Sequence, residues 1–157
     1  MQTTSSASWT AEYTGGGGPC PLCCFPPNTK IAVPGGGTVK IIDLKPGDLV
    51  STKYGPEQVG EILVRENRPM YRLWFRDGRT LILSEDHPVL TDNGYACVNP
   101  TVEYKKLGMV NKLKVGDHVE TINGLLVPVQ QIERYVYTDK VYTLDISHFY
   151  AHGVVVG

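Results

Sequence analysis

The sequence predicts an all-β protein. Three observations carry this: short runs of β-branched and aromatic residues, glycine hairpin signals between them, and an internal repeat. The runs at 39–42, 59–64, 71–75 and 80–83 have strand composition. Further strands are expected at 118–122, 125–136, 140–146 and 153–156. Asp77-Gly78, Asn93-Gly94 and Asn123-Gly124 offer the positive φ that tight hairpin turns need. Eleven prolines and 17 glycines oppose long helices, leaving room for short helical turns near 43–46 and 109–113.

The repeat supplies a topology. Leu44-Lys45-Pro46-Gly47-Asp48-Leu49-Val50 returns as Leu113-Lys114-Val115-Gly116-Asp117-His118-Val119, at an offset of 69 residues. Met70-Tyr71-Arg72-Leu73 returns as Val141-Tyr142-Thr143-Leu144, at an offset of 71. Two landmarks in near register predict two copies of one β unit about a pseudo-two-fold axis. In each copy the glycine makes the turn and the aspartate bonds nearby backbone amides.

Composition bounds the organisation and excludes several function classes. A chain of 157 residues fits one domain with a real core. Fifteen basic against 16 acidic residues give a net charge of -1, and no basic stripe points to nucleic acid or an anionic membrane surface. The apolar runs, such as those at 62–64 and 154–156, are too short to span a bilayer, and the start lacks the layout of a secretion signal. The expectation is a soluble monomer whose compartment is left open, export undecided and the cytoplasm of a bacterium or phage-infected cell favoured. Residues 1–23 read as a flexible Ser/Thr/Gly-rich flank, with Gly15 to Gly18 followed by Pro19, and 24–157 as the globular domain.

Chemistry concentrates in two places. Cys24 stands where the flank meets the first strand, in Cys24-Phe25-Pro26-Pro27-Asn28-Thr29-Lys30-Ile31. A thiol there can attack the carbonyl of Cys23, giving a thioester in place of the amide. The second place is Thr80 to Thr91, containing Ser84-Glu85-Asp86-His87-Pro88. His87 titrates in the range needed to protonate a departing amide nitrogen. Ser84 can fix that histidine or bond the scissile amide, and Asp86 can tune the imidazole. His148, on the closing strand region, is a further candidate proton donor. The aromatic residues Trp74, Phe75, Tyr71, Tyr95, Tyr135 and Tyr142 read as core and cross-strand packing.

The cysteines leave alternatives open. Cys20, Cys23 and Cys24 crowd into five residues, with Cys97 far away. Cys20 and Cys23 form a C-x-x-C pair, which with Cys24 or Cys97 and a histidine makes a zinc-binding module. No second C-x-x-C accompanies it, so no metal or cofactor is expected. A disulfide from Cys20 or Cys23 to Cys24 makes a redox gate, removing the nucleophile until it is reduced. An inert β adaptor is the remaining class.

From Cys24 onward the chain resembles the Hint superfamily: inteins, bacterial intein-like domains and the hedgehog autoprocessing domain. The resemblance rests on CFPPNTKI, VKIIDLKPGDLV, TLILSEDHPVLTDNGY and VYTLDISHFYAHGVVV, in the family's order. It implies a horseshoe-like all-β fold of two pseudo-symmetric subdomains. It also implies that Cys24 is the N-terminal nucleophile and His87 the histidine activating that bond. Ser84 stands where the family motif usually has Thr, and Asp86 matches a frequent acidic neighbour. Thr143 stands where a catalytic Asp is often found, and His152 replaces the common Asn before Gly153. Splicing members close on a His-Asn pair before a further nucleophile, whereas this sequence ends Val154-Val155-Val156-Gly157. The implied activity is a single-turnover N-to-S acyl shift at Cys23–Cys24, then attack by water, a thiol or an amine on the chain's own upstream segment. Splicing is expected only if the native C-terminus has been truncated or mutated.

Overall fold

The structure, a computed structural model, describes residues 23–101 and 110–157. Of the expected flank 1–23 only Cys23 falls within them, and Cys20 lies outside. Strands in chain order are β1 Lys30–Ala32, β2 Thr38–Lys40, β3 Leu49–Thr52, β4 Gly55–Gln58 and β5 Ile62–Arg65. There follow β6 Met70–Phe75, β7 Thr80–Ser84, β8 Val89–Thr91, β9 Gly94–Cys97 and β10 Asn111–Lys112. The last are β11 His118–Glu120, β12 Leu126–Tyr135, β13 Val141–Leu144, β14 Phe149–Ala151 and β15 Val154–Val156. The one helical segment described is a 3-10 turn at Ile41–Asp43. The fold is all-β, as its composition predicts.

The main sheet runs β2-β1-β14-β15-β8-β11-β12-β6-β7, with β3, β4, β9 and β10 paired off this path. A second, two-stranded sheet joins β5 to β13. Because β14 and β15 sit between β1 and β8, the end of the chain is woven into the middle of the sheet. Phe25, Ile31, Phe149, Val154 and Val156 are fully buried in one core with Val50, Leu73, Leu81 and Val119. A smaller cluster gathers Cys24, Met70 and Val141, with Ile82, Tyr135 and Tyr137 packed against it.

The sequence repeat reappears as the same turn built twice. Gly47 and Gly116 have φ of 97° and 98°, a region that L side chains seldom enter. Asp48 accepts the Lys45 amide at 2.8 Å, and Asp117 accepts the Lys114 amide at 2.9 Å. Gly47 N–H donates to the Val59 carbonyl and Gly116 N–H to that of Val129, at 2.7 and 2.9 Å. Equal geometry predicts equal energetics: Asp48→Ala and Asp117→Ala should each cost about 1 kcal/mol. Chemical denaturation of both variants checks this, the midpoints expected to shift together.

Three sequence expectations come out differently in the fold. The run at 59–64 yields a strand only from Ile62, because Val59 N–H is spent on the Asp48 carbonyl and Gly60 N–H on Asp145 Oδ1. The helical turn expected at 43–46 occurs earlier, where Leu44 N–H bonds the Ile41 carbonyl at 3.2 Å. It shortens the expected strand 39–42 to Thr38–Lys40. The turn expected at 109–113 begins outside the described residues, and 111–112 is strand β10 paired in parallel with β9.

Candidate functional site

The site grows from the end of β7. After Ser84 the chain turns, the His87 amide donating to the Ser84 carbonyl at 3.1 Å, and continues into β8. Cys24 docks onto this turn edge by two bonds. Its amide N–H donates to Ser84 Oγ at 2.9 Å, and its carbonyl accepts the Ser84 N–H at 2.9 Å. The nitrogen of the Cys23–Cys24 peptide bond is therefore held by a fully buried hydroxyl. Phe25 follows, exchanging both backbone hydrogen bonds with Tyr142 of β13 at 2.7 Å.

That bridge aligns β13 with the nucleophile candidate. Continuing its antiparallel register puts Thr143 across from Cys24, on the same face. Thr143 is buried. Cys24 is fully buried too, and its apolar surroundings push the thiol up to about 12. The charges that bear on it are Arg65, Asp86 and Arg68, the arginines favouring the thiolate and the carboxylate opposing it.

His87 is fully buried, its ring 4.2 Å from that of Phe25. Its Nε2 lies 3.0 Å from the Gly157 carbonyl oxygen, an acceptor, so Nε2 carries the proton and Nδ1 the lone pair. Nδ1 has no hydrogen-bond partner among the described residues. Burial holds the imidazole neutral down to about 3, with the Gly157 bond opposing this. The resting histidine is thus a proton acceptor, not the protonated donor that the sequence suggests. Residue 157 also lies beside Pro88, whose carbonyl accepts its N–H at 2.9 Å. Cys24 and Gly157 meet at one turn.

Asp86 does not reach the imidazole. One carboxylate oxygen accepts from Arg68 at 3.2 Å, and the other, buried, has no partner among the described residues. Its backbone carbonyl lies 3.2 Å from Cys23 Sγ. The expected tuning of His87 by Asp86 is therefore replaced by an ion pair that holds the turn beneath Cys23.

The cysteine chemistry also differs from expectation. Cys24 is a free thiol, as is buried Cys97, whereas Cys23 is disulfide-bonded, so its partner is neither of these. The bridge falls one residue upstream of the nucleophile candidate and leaves that thiol open. Burial pushes Cys97 up to about 12 as well. Among the described residues no group of three or more His, Cys, Asp or Glu is placed to hold a metal ion. Cys20, needed for the zinc alternative, lies outside them.

His148 belongs to a neighbouring cluster. Its Nδ1 bonds Tyr95 Oη, and the Tyr54 ring meets it edge-on at 5.1 Å. It adopts a φ of 65°, and desolvation lowers its pKa. None of its hydrogen bonds or ring contacts among the described residues is to Cys24, Ser84 or His87. Tyr95 connects it to the chain end, its ring edge 3.3 Å from where a Cβ on Gly157 would stand. Sequence reasoning missed Phe25 as the ring packed at a tilt of 43° against His87, and Arg65 and Arg68 as the cations acting on the thiol. Only their folded neighbours reveal those roles, since neither arginine sits in a motif.

No protein-family model and no curated protein matches the sequence. Solved structures do. The gp41-1 intein superposes with a TM-score of 0.70 at 21% identity, covering 85% of this chain and 96% of that one. A bacterial intein-like domain from Clostridium thermocellum gives 0.65 at 24% identity, with the same coverages. A DnaB intein from Synechocystis sp. PCC 6803 gives 0.67 at 17% identity, again covering 85% and 96%. Likeness of this extent, on an all-β body with the turn repeat described above, shows that the chain has the Hint fold.

Proposed function

We propose that this chain is a self-processing domain that cuts its own backbone at Cys23–Cys24 through an N-to-S acyl shift. One observation carries the reading: the amide nitrogen of Cys24 is gripped by buried Ser84 Oγ, three residues before a neutral histidine with a free lone pair. The thiol proton passes to His87 Nδ1, and the Cys24 sulfur bonds the Cys23 carbonyl carbon. The C–N bond then breaks, and the nitrogen takes the proton from His87 to become the α-amino group of Cys24. Composition is unchanged at this stage, the thioester being an isomer of the amide. Water then gives a carboxylate on Cys23, a thiol a new thioester, and an amine an amide; each restores the Cys24 thiol. The upstream segment 1–23 is the substrate, and 24–157 the domain that acts on it.

Ser84 contributes by fixing the amide, Thr143 by lining the face across from the thiol, and the Cys23 disulfide by tethering the acyl side. His148 acts at the Gly157 end, through Tyr95. Intact-mass measurement in dithiothreitol tests the reading, because the thiol both opens the disulfide and attacks the thioester. The expected result is time-dependent conversion of full-length chain into two fragments, 1–23 and 24–157. A chain that keeps its full mass while Cys23 is reduced contradicts it.

A further inference from the structure

A thiol enclosed by Met70, Val141, Ile82, Tyr135 and Tyr137 is a poor nucleophile unless a charge offsets its surroundings. Arg65 is placed to supply one. It ends β5 directly opposite Val141 of β13, and opposite residues of an antiparallel pair send their side chains to one face. Val141 packs with Cys24 on that face. The register therefore carries the Arg65 stem toward the thiol from the far side of β13. Its one described hydrogen bond, Nη1 to the Val64 carbonyl at 2.9 Å, involves no acid.

The other groups facing Cys24 do not replace it. Arg68 is spent on Asp86, whose carboxylate opposes the thiolate. His87 is neutral, and Tyr135 and Tyr137 bring rings without charge. Of the charges acting on Cys24, that of Arg65 is the largest, and it lowers the thiol's pKa.

We infer that Arg65 is a positioning residue for the acyl shift, its guanidinium holding the Cys24 thiolate across the β5–β13 pair. This rests on the reading of Cys24 as nucleophile. The cation stabilises the S⁻ formed when the thiol proton leaves and repels nothing when the sulfur is acylated, so it favours the attacking form.

The test compares wild type, Arg65→Met, Arg65→Lys and Cys24→Ala, each as the full chain in dithiothreitol. Arg65→Met keeps the stem and removes the charge. It should slow cleavage roughly tenfold at each pH between about 7 and 9, one unit of thiol pKa being a factor of ten. Arg65→Lys should recover most of the loss. Raising ionic strength should slow wild type and Arg65→Lys but leave Arg65→Met unchanged, a response that a packing role would not produce. Equal cleavage rates and equal salt response in wild type and Arg65→Met would overturn the inference. Cleavage that persists in Cys24→Ala overturns the underlying reading instead, so the two failures are distinct.

Discussion

Cys24→Ala should leave the chain at full mass in water, thiol or amine, a loss of at least about 10³-fold in cleavage rate. Without the sulfur no acyl acceptor stands at the Cys23 carbonyl, and an amide at neutral pH does not cleave on this timescale. The fold should survive. Cys24 sits in the small satellite cluster, not the main core, and its two backbone bonds to Ser84 do not use the sulfur. Losing one buried heavy atom there costs about 1 kcal/mol. A guanidinium midpoint near that of wild type, beside an inert mass spectrum, is the expected pair of results. Partial cleavage in this variant would mean that another group attacks.

His87→Ala should slow cleavage by about 10²- to 10⁴-fold while leaving the Cys24 thiol in place. Here pH separates a proton-transfer role from a packing role. Burial holds the folded imidazole at about 3, below its ordinary 6.5. A depressed pKa gives stability that is fully present above 6.5 and is lost as pH falls towards 3. Wild type should therefore lose stability across that window, and His87→Leu should show a shallower slope. The cleavage rate should show no inflection near 6.5, since the buried ring stays neutral there. Denaturation midpoints and cleavage rates over the same pH series check both statements.

Much of this was legible in the sequence because it was local. The Gly-Asp turns at 47–48 and 116–117 announce themselves by composition, and their matching φ values and amide bonds follow from it. Strand composition placed β6, β7 and β12 within a residue or so of their bounds. The run at 59–64 failed at its start because Val59 and Gly60 bond outside their own segment, to Asp48 and Asp145, which no local window shows. At the site, Cys24, Ser84 and His87 were readable from two short motifs, and the fold joins those motifs through the Ser84–Cys24 pair. The protonation of His87 was not readable, because it depends on burial beneath Phe25 and on the Gly157 carbonyl. Asp86 was assigned to the wrong neighbour for the same reason: Arg68, 18 residues upstream, reaches it only in the fold. Arg65 became visible only through its register with Val141.

The claim at the centre is a thioester at one bond, and hydroxylamine tests it without reducing the Cys23 disulfide. It attacks the acyl carbon and leaves a hydroxamate on whichever residue carried the thioester. Tandem mass spectrometry of the products should find that hydroxamate on Cys23 and a free amino group on Cys24. A chain of unchanged mass, or a hydroxamate on any other residue, would contradict the account.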